Sequence, residues 1–89
     1  MSTLRGVIRL YDQTSHGGFV IRASGSRYDG KPLALLGDLV ACPLPGHGVN
    51  PIIEGEPTMT EHGKPVALHG HRTACSCTLI SSLPETGVQ

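Results

Sequence analysis

The strongest constraint on what this chain can become is a block that occurs twice. Residues 28–42 read YDGKPLALLGDLVAC and residues 61–75 read EHGKPVALHGHRTAC, an offset of 33 residues. Gly, Lys, Pro, Ala, Leu, Gly, Ala and Cys recur in the same places, and both copies end on a cysteine. Repetition at such a period means stacked or symmetry-related supersecondary units rather than one irregular globule. A third, degenerate copy lies near the N-terminus. Aligning VIRLYDQTSH (7–16) on LALLGDLVAC (33–42) superposes Asp12 on Asp38 and His16 on Cys42. A short apolar run follows each copy: GGFVIRASGS past His16, VNPIIEGEP past His47 and CTLISS past Ser76. The chain therefore reads as three quasi-equivalent units in a pseudo-threefold arrangement. Each unit delivers one His or Cys to the same structural position.

Such a chain has little else to hold it together. Its 89 residues include no Trp, one Phe (Phe19) and two Tyr (Tyr11, Tyr28). Aromatic side chains contribute the largest burial per residue, so a core this poor in them leaves little to offset chain entropy. A domain of this size and composition needs a disulfide, a metal or an oligomeric partner. Three cysteines is an odd number. The N-terminus MSTLRGVIRLYD has Arg5 and Arg9 where a signal peptide would be apolar, so synthesis in a reducing compartment is expected and metal ligation is favoured over a disulfide. Seven basic residues balance seven acidic ones without a Lys/Arg cluster, which disfavours nucleic-acid binding. No apolar run approaches the length of a transmembrane helix.

Gly or Pro interrupts every candidate helical stripe, so no helix is expected. Short strands are expected at 6–10, 19–22, 33–36, 40–42, 51–54, 58–60, 66–69 and 77–81, giving an all-β domain. Asp29-Gly30 suits a tight hairpin with positive φ, and Pro32 and Pro65 fix φ beside the two repeated turns. The reading is one domain over 1–89, with a core at about 5–82 and a frayed tail at 83–89.

The metal-ligand candidates are His16, Cys42, His47, His62, His69, His71, Cys75 and Cys77. Structural zinc takes four ligands in a closed tetrahedron, with Cys and His preferred. The repeat register supplies His16, Cys42 and Cys75, one from each unit, and leaves one vertex open. Unit 2 carries an insertion, PLPG between Cys42 and His47. A tight fold-back there would let Cys42 and His47 grip one ion. The expected set is His16, Cys42, His47 and Cys75. His62 falls at a hairpin tip equivalent to Asp29 and reads as a surface residue. His69 and His71 share one strand face, where either could still ligate. Cys77 is the strongest competitor but lies past the repeat-equivalent position, where a half-buried apolar role is expected. Asp12 and Asp38, each four residues before a proposed ligand, are expected to brace turns or to accept from ligand histidines. No catalytic residue is assigned: a Cys75–His71 pair lacks an orienting partner, and a zinc with four protein ligands leaves no place for water.

The repeats KPLALLGD (31–38) and KPVALHGH (64–71) resemble diverged forms of the proline-alanine-alanine-arginine signature of PAAR-domain proteins. TSHGG (14–18), CPLPGHG (42–48), IIEGEPT (52–58) and TACSC (73–77) extend the resemblance over about residues 5–82. Leu35 and Leu68 stand where the signature has arginine. The resemblance implies a small β-rich cone, zinc-stapled near its apex. Such cones cap the trimeric valine-glycine-repeat spike of the type VI secretion system and sharpen it for membrane puncture and effector delivery. The family's metal positions map onto His16, Cys42, His47 and Cys75. The resemblance further implies one zinc per chain, one monomer per spike trimer, a non-enzymatic role, and a cytoplasmic protein secreted into the target cell once assembled. With so few residues outside the domain, no fused effector is expected. The alternative from another class is a cytoplasmic zinc-binding or thiol-redox module using Cys75 and Cys77.

Overall fold

The computed structural model describes residues 6–43, 46 and 48–82. His47 and the tail expected to fray at 83–89 lie outside the described residues. The described chain is all β, in nine short strands: β1 Gln13–Thr14, β2 Phe19–Val20, β3 Arg27–Tyr28, β4 Lys31–Pro32, β5 Leu39–Cys42, β6 Gly48–Pro51, β7 Glu56–Glu61, β8 Lys64–Val66 and β9 Leu79–Ile80. Five of them form one antiparallel sheet in the order β6-β5-β2-β1-β9, while β3-β4 and β7-β8 are separate hairpins.

The three units close on one another in a ring of backbone hydrogen bonds. Ile8 N–H donates to the Ala67 carbonyl (3.0 Å), Ala34 N–H to Ile8 (2.8 Å) and Ala67 N–H to Ala34 (2.9 Å). Each of these residues occupies the same place in its unit under the repeat alignment. The flanking bridges repeat the cycle, with Val7 opposite Leu68, Arg9 opposite Leu33 and Leu35 opposite Val66. The expected strands at 6–10 and 33–36 are therefore single-bridge segments rather than ladders. Each must serve a neighbour on both sides of the ring within three residues, which leaves no length for a continuous pairing. Three strands absent from the expectation, β1, β3 and β4, lack apolar alternation and are held by pairing, β1 with β2 and β9 and β3 with β4.

Local geometry repeats with the same register. Asp12, Asp38 and His71 donate their N–H to the carbonyls of Arg9, Leu35 and Leu68, closing one turn per unit. The side chains return the bond: Asp12 Oδ2 accepts from Arg9 N–H (2.8 Å), Asp38 Oδ2 from Leu35 N–H (2.8 Å) and His71 Nδ1 from Leu68 N–H (2.9 Å). The two aspartates thus brace turns. Preceding them, Tyr11, Gly37 and Gly70 all have φ between 71° and 91°, a conformation that glycine adopts without strain. At the hairpin tips, Asp29-Gly30 and His62-Gly63 have matching positive φ, as a two-residue type I′ turn requires. His62 is exposed there.

Burial follows the ring. One apolar cluster holds Ile8, Ala34 and Ala67 with Val20, Val40, Ile52 and Leu79, and a second holds Val7, Leu33, Leu35, Val66 and Leu68 with Met59 packed against it. Both contain residues from all three units, so no unit can bury its apolar face alone.

Candidate metal centre

After its bracing turn, each unit runs toward a common end, and the three repeat-equivalent residues meet there. His16, Cys42 and Cys75 converge with Cys77, and the four ligand atoms all lie within 4.8 Å of one another. Cys77 Sγ is 2.9 Å from His16 Nδ1, 3.1 Å from Cys75 Sγ and 3.5 Å from Cys42 Sγ, while Cys42 Sγ is 3.9 Å from His16 Nδ1. Metal–ligand bonds of 2.0–2.3 Å imply donor–donor edges of about 3.3–3.8 Å in a tetrahedron. The observed separations bracket that range, so the residues fit one metal ion. No disulfide joins the three cysteines.

Cys77, set aside in the sequence, is fully buried and touches the other three donors. Its placement comes from the turn at Ser76, where φ is 70° and the N–H bonds the Thr73 carbonyl. Unit 1 makes the same turn at Gly17, with φ 84° and an N–H to the Thr14 carbonyl. The sequence signal was that glycine: it marks a left-handed turn at the position Ser76 occupies, and hence a tight Cys-x-Cys pair with both thiols inward. His69 and His71 are engaged elsewhere, their Nδ1 atoms accepting from Ser81 N–H (3.0 Å) and Leu68 N–H. Neither belongs to the cluster.

Metal binding at this cluster is coupled to the loss of a thiol proton. Burial pushes the Cys77 thiol up to about 12; hydrogen bonds with Cys75 and Cys42 push the same way, and the Thr14 hydroxyl opposes them. Metal-free, the site holds Cys77 as a neutral thiol. A bound cation would replace the proton and stabilise the thiolate that burial otherwise penalises. The Thr73 hydroxyl lies 3.3 Å from Cys75 Sγ, and Cys75 N–H donates to Asn50 Oδ1 at 3.2 Å. These contacts hold the backbone and the thiol of Cys75 in place, which lowers the ordering cost of binding an ion.

The register also locates an arginine. Arg9 stands at the position of Leu35 and Leu68, where the signature resembled in the sequence has its arginine. Its Nη1 donates to the carbonyls of Tyr28 (3.2 Å) and Asp29 (2.9 Å), and Nη2 to Ser82 Oγ (2.8 Å). Unit 1 thereby clamps the hairpin of unit 2.

Among the described residues, no helix is long and apolar enough to cross a membrane. A search of curated proteins returns no match. A family model, described as the PAAR motif, matches residues 10–81. With that match covering most of the sequence, from the first bracing turn to the last strand, the chain belongs to the PAAR-motif family, whose domains are associated with the tip of the type VI secretion spike.

Proposed function

We propose that this domain is a structural, non-enzymatic cap that binds the end of the trimeric spike, one monomer per trimer, and sharpens it for membrane puncture and effector delivery. The observation that carries the proposal is the closed ring through Ile8, Ala34 and Ala67. One chain with three equivalent units can match a threefold partner only once. Equivalent apolar residues, Ile21, Ile53 and Ile80, are exposed in all three units and offer the same contact three times. With zero net charge and no basic cluster, association rests on apolar packing and backbone pairing. Moderate salt would then weaken it little. In this reading the protein resides in the cytoplasm until assembly and leaves the cell with the spike.

The ion is zinc, one per chain, held by His16, Cys42 and Cys75 with Cys77 at the fourth vertex. A donor set of three thiols and one imidazole suits tetrahedral zinc. Cys77 takes that vertex because its sulfur already touches three other donors; His47 is the ligand that the sequence reading and the family's metal positions put there. The decisive measurement is the light-scattering mass of the purified complex with the spike trimer. One monomer per trimer is expected, and three would refute the ring argument.

A further inference from the structure

We propose that Asn50 is a positioning residue of this metal centre, its side-chain N–H donating to a metal-bound thiolate while its carbonyl holds Cys75 in place. The proposal rests on the metal reading above and adds a residue to it.

Three observations meet at Asn50. First, the register: Thr14 N–H bonds the Gly18 carbonyl and Thr73 N–H bonds the Cys77 carbonyl, while Val40, equivalent to those threonines, pairs with Asn50. Gly18, Asn50 and Cys77 are therefore one position in three units. In unit 3 that position sends its side chain into the cluster, and in unit 2 it is the Asn50 amide. Second, the strand face: Asn50 is opposite Val40 on the buried side of β5, the side that Cys42 also occupies two residues on. Its Oδ1 accepts from Cys75 N–H, so the amide links the strand face that carries Cys42 to the backbone of Cys75. Third, the unmet donor: Asn50 is 9% exposed, and its Nδ2 is a buried nitrogen with no hydrogen-bond partner among the described residues. A buried amide donor left unpaired is costly, and native folds seldom tolerate one without a use for it.

The ion provides that use. Three thiolates and a neutral imidazole around a divalent cation carry one net negative charge in a buried place. Hydrogen-bond donors to the sulfurs disperse it, and loss of such an outer contact weakens metal binding about 10–100-fold. Neutral thiols are weak acceptors, whereas metal-bound thiolates are strong ones.

The test separates the amide's two ends. Asn50→Asp keeps size and the carbonyl-like acceptor for Cys75 N–H but exchanges the donor for a second carboxylate oxygen. Asn50→Leu removes both. Zinc affinity is read by competition with a chromophoric chelator, and cobalt substitution reports the sulfur-to-metal charge-transfer band. Both variants should bind zinc about 10–100-fold more weakly, with Asp at least as poor as Leu, and should shift the cobalt band. An Asp variant with wild-type affinity and band would overturn the inference, since a role confined to Cys75 N–H survives that change. As a check that needs no variant, cadmium-113-loaded wild-type protein should show scalar coupling between the metal and the Asn50 side-chain amide protons. Its absence would also count against the proposal. A wild-type protein that binds none of these ions would instead overturn the metal reading itself.

Discussion

The turn at His71 offers the sharpest test of unit equivalence. Units 1 and 2 brace their turns with Asp12 and Asp38, and unit 3 uses His71 for the same bond. The histidine Nδ1 and the aspartate Oδ stand the same number of bonds from Cα, which is why the acceptor distances agree within 0.1 Å. His71→Asp should therefore restore the bond with a charged acceptor, whereas His71→Ala leaves Leu68 N–H without one. Leu68 is fully buried. An unsatisfied buried donor costs about 1–3 kcal/mol, and each kcal/mol moves the melting point of a domain this size by about 4–8 °C. The alanine variant should melt about 4–24 °C below wild type. The aspartate variant should melt within about 4 °C of wild type or above it, because hydrogen bonds to charged groups are the stronger kind. Thermal unfolding of metal-loaded protein by circular dichroism at neutral pH reads both. An aspartate variant that melts as low as the alanine variant would show that the turns are not interchangeable, and the register would lose its energetic meaning.

Removing the ion with a strong chelator should lower the melting point markedly, since metal binding and folding are coupled in small domains; an unchanged melting point would deny the centre a structural role. Cys77→Ser should reduce zinc affinity as severely as Cys75→Ser, and His47→Ala much less; the reverse order would make His47 the fourth ligand. Metal-free protein should lose stability as pH rises from about 9 to about 12: the raised Cys77 value means the folded thiol keeps a proton that the unfolded chain has released, so alkali favours unfolding. A flat pH profile there would refute burial of that thiol. Arg9→Leu would match Leu35 and Leu68 but strip the donors from the Tyr28 and Asp29 carbonyls; the melting point should fall by at least about 4 °C, and a rise would mean the clamp is dispensable.

Much of this architecture is legible in the sequence because its repeats are explicit. The alignment of residues 7–16 on 33–42 rested on a few matched positions, yet it places Ile8, Ala34 and Ala67 where the backbone ring needs them. The hairpins at Asp29-Gly30 and His62-Gly63 were equally visible, since few residue pairs tolerate two successive positive φ values. Less legible were β1, β3 and β4, whose residues form strands only because a neighbour pairs with them. Cys77 was obscured for another reason. Counting ligands by repeat position weighs each unit once, and a residue that breaks the repeat is discounted by the same logic that finds the others. His69 and His71 looked like candidates because side-chain type does not reveal that an imidazole is already engaged by a backbone N–H.

The way the symmetry breaks explains how a threefold frame can house a fourfold site. Three equivalent units can bring three equivalent donors, here His16, Cys42 and Cys75, but a closed tetrahedron needs one more. That donor must come from a position where the units differ; with His47 in the insertion of unit 2 as the alternative, the proposed site draws it from the place shared by Gly18, Asn50 and Cys77. Unit 1 is barred by sterics: a Cβ on Gly18 would lie 1.9 Å from the Ala41 carbonyl oxygen, so β2 and β5 can approach only if that residue is glycine. Unit 2 carries extra residues between Cys42 and Pro51 and returns through β6 with an amide instead of a thiol. Only unit 3 combines an unobstructed turn with a sulfur. In the proposed centre one position divides its labour three ways, into close strand packing at Gly18, an outer hydrogen-bond donor at Asn50 and a ligand at Cys77. A chain of three identical units could not do this, because a side chain fit to ligate from one unit would collide or crowd from the other two. Degeneration of the repeat at this position is accordingly what the proposed metal centre requires of it.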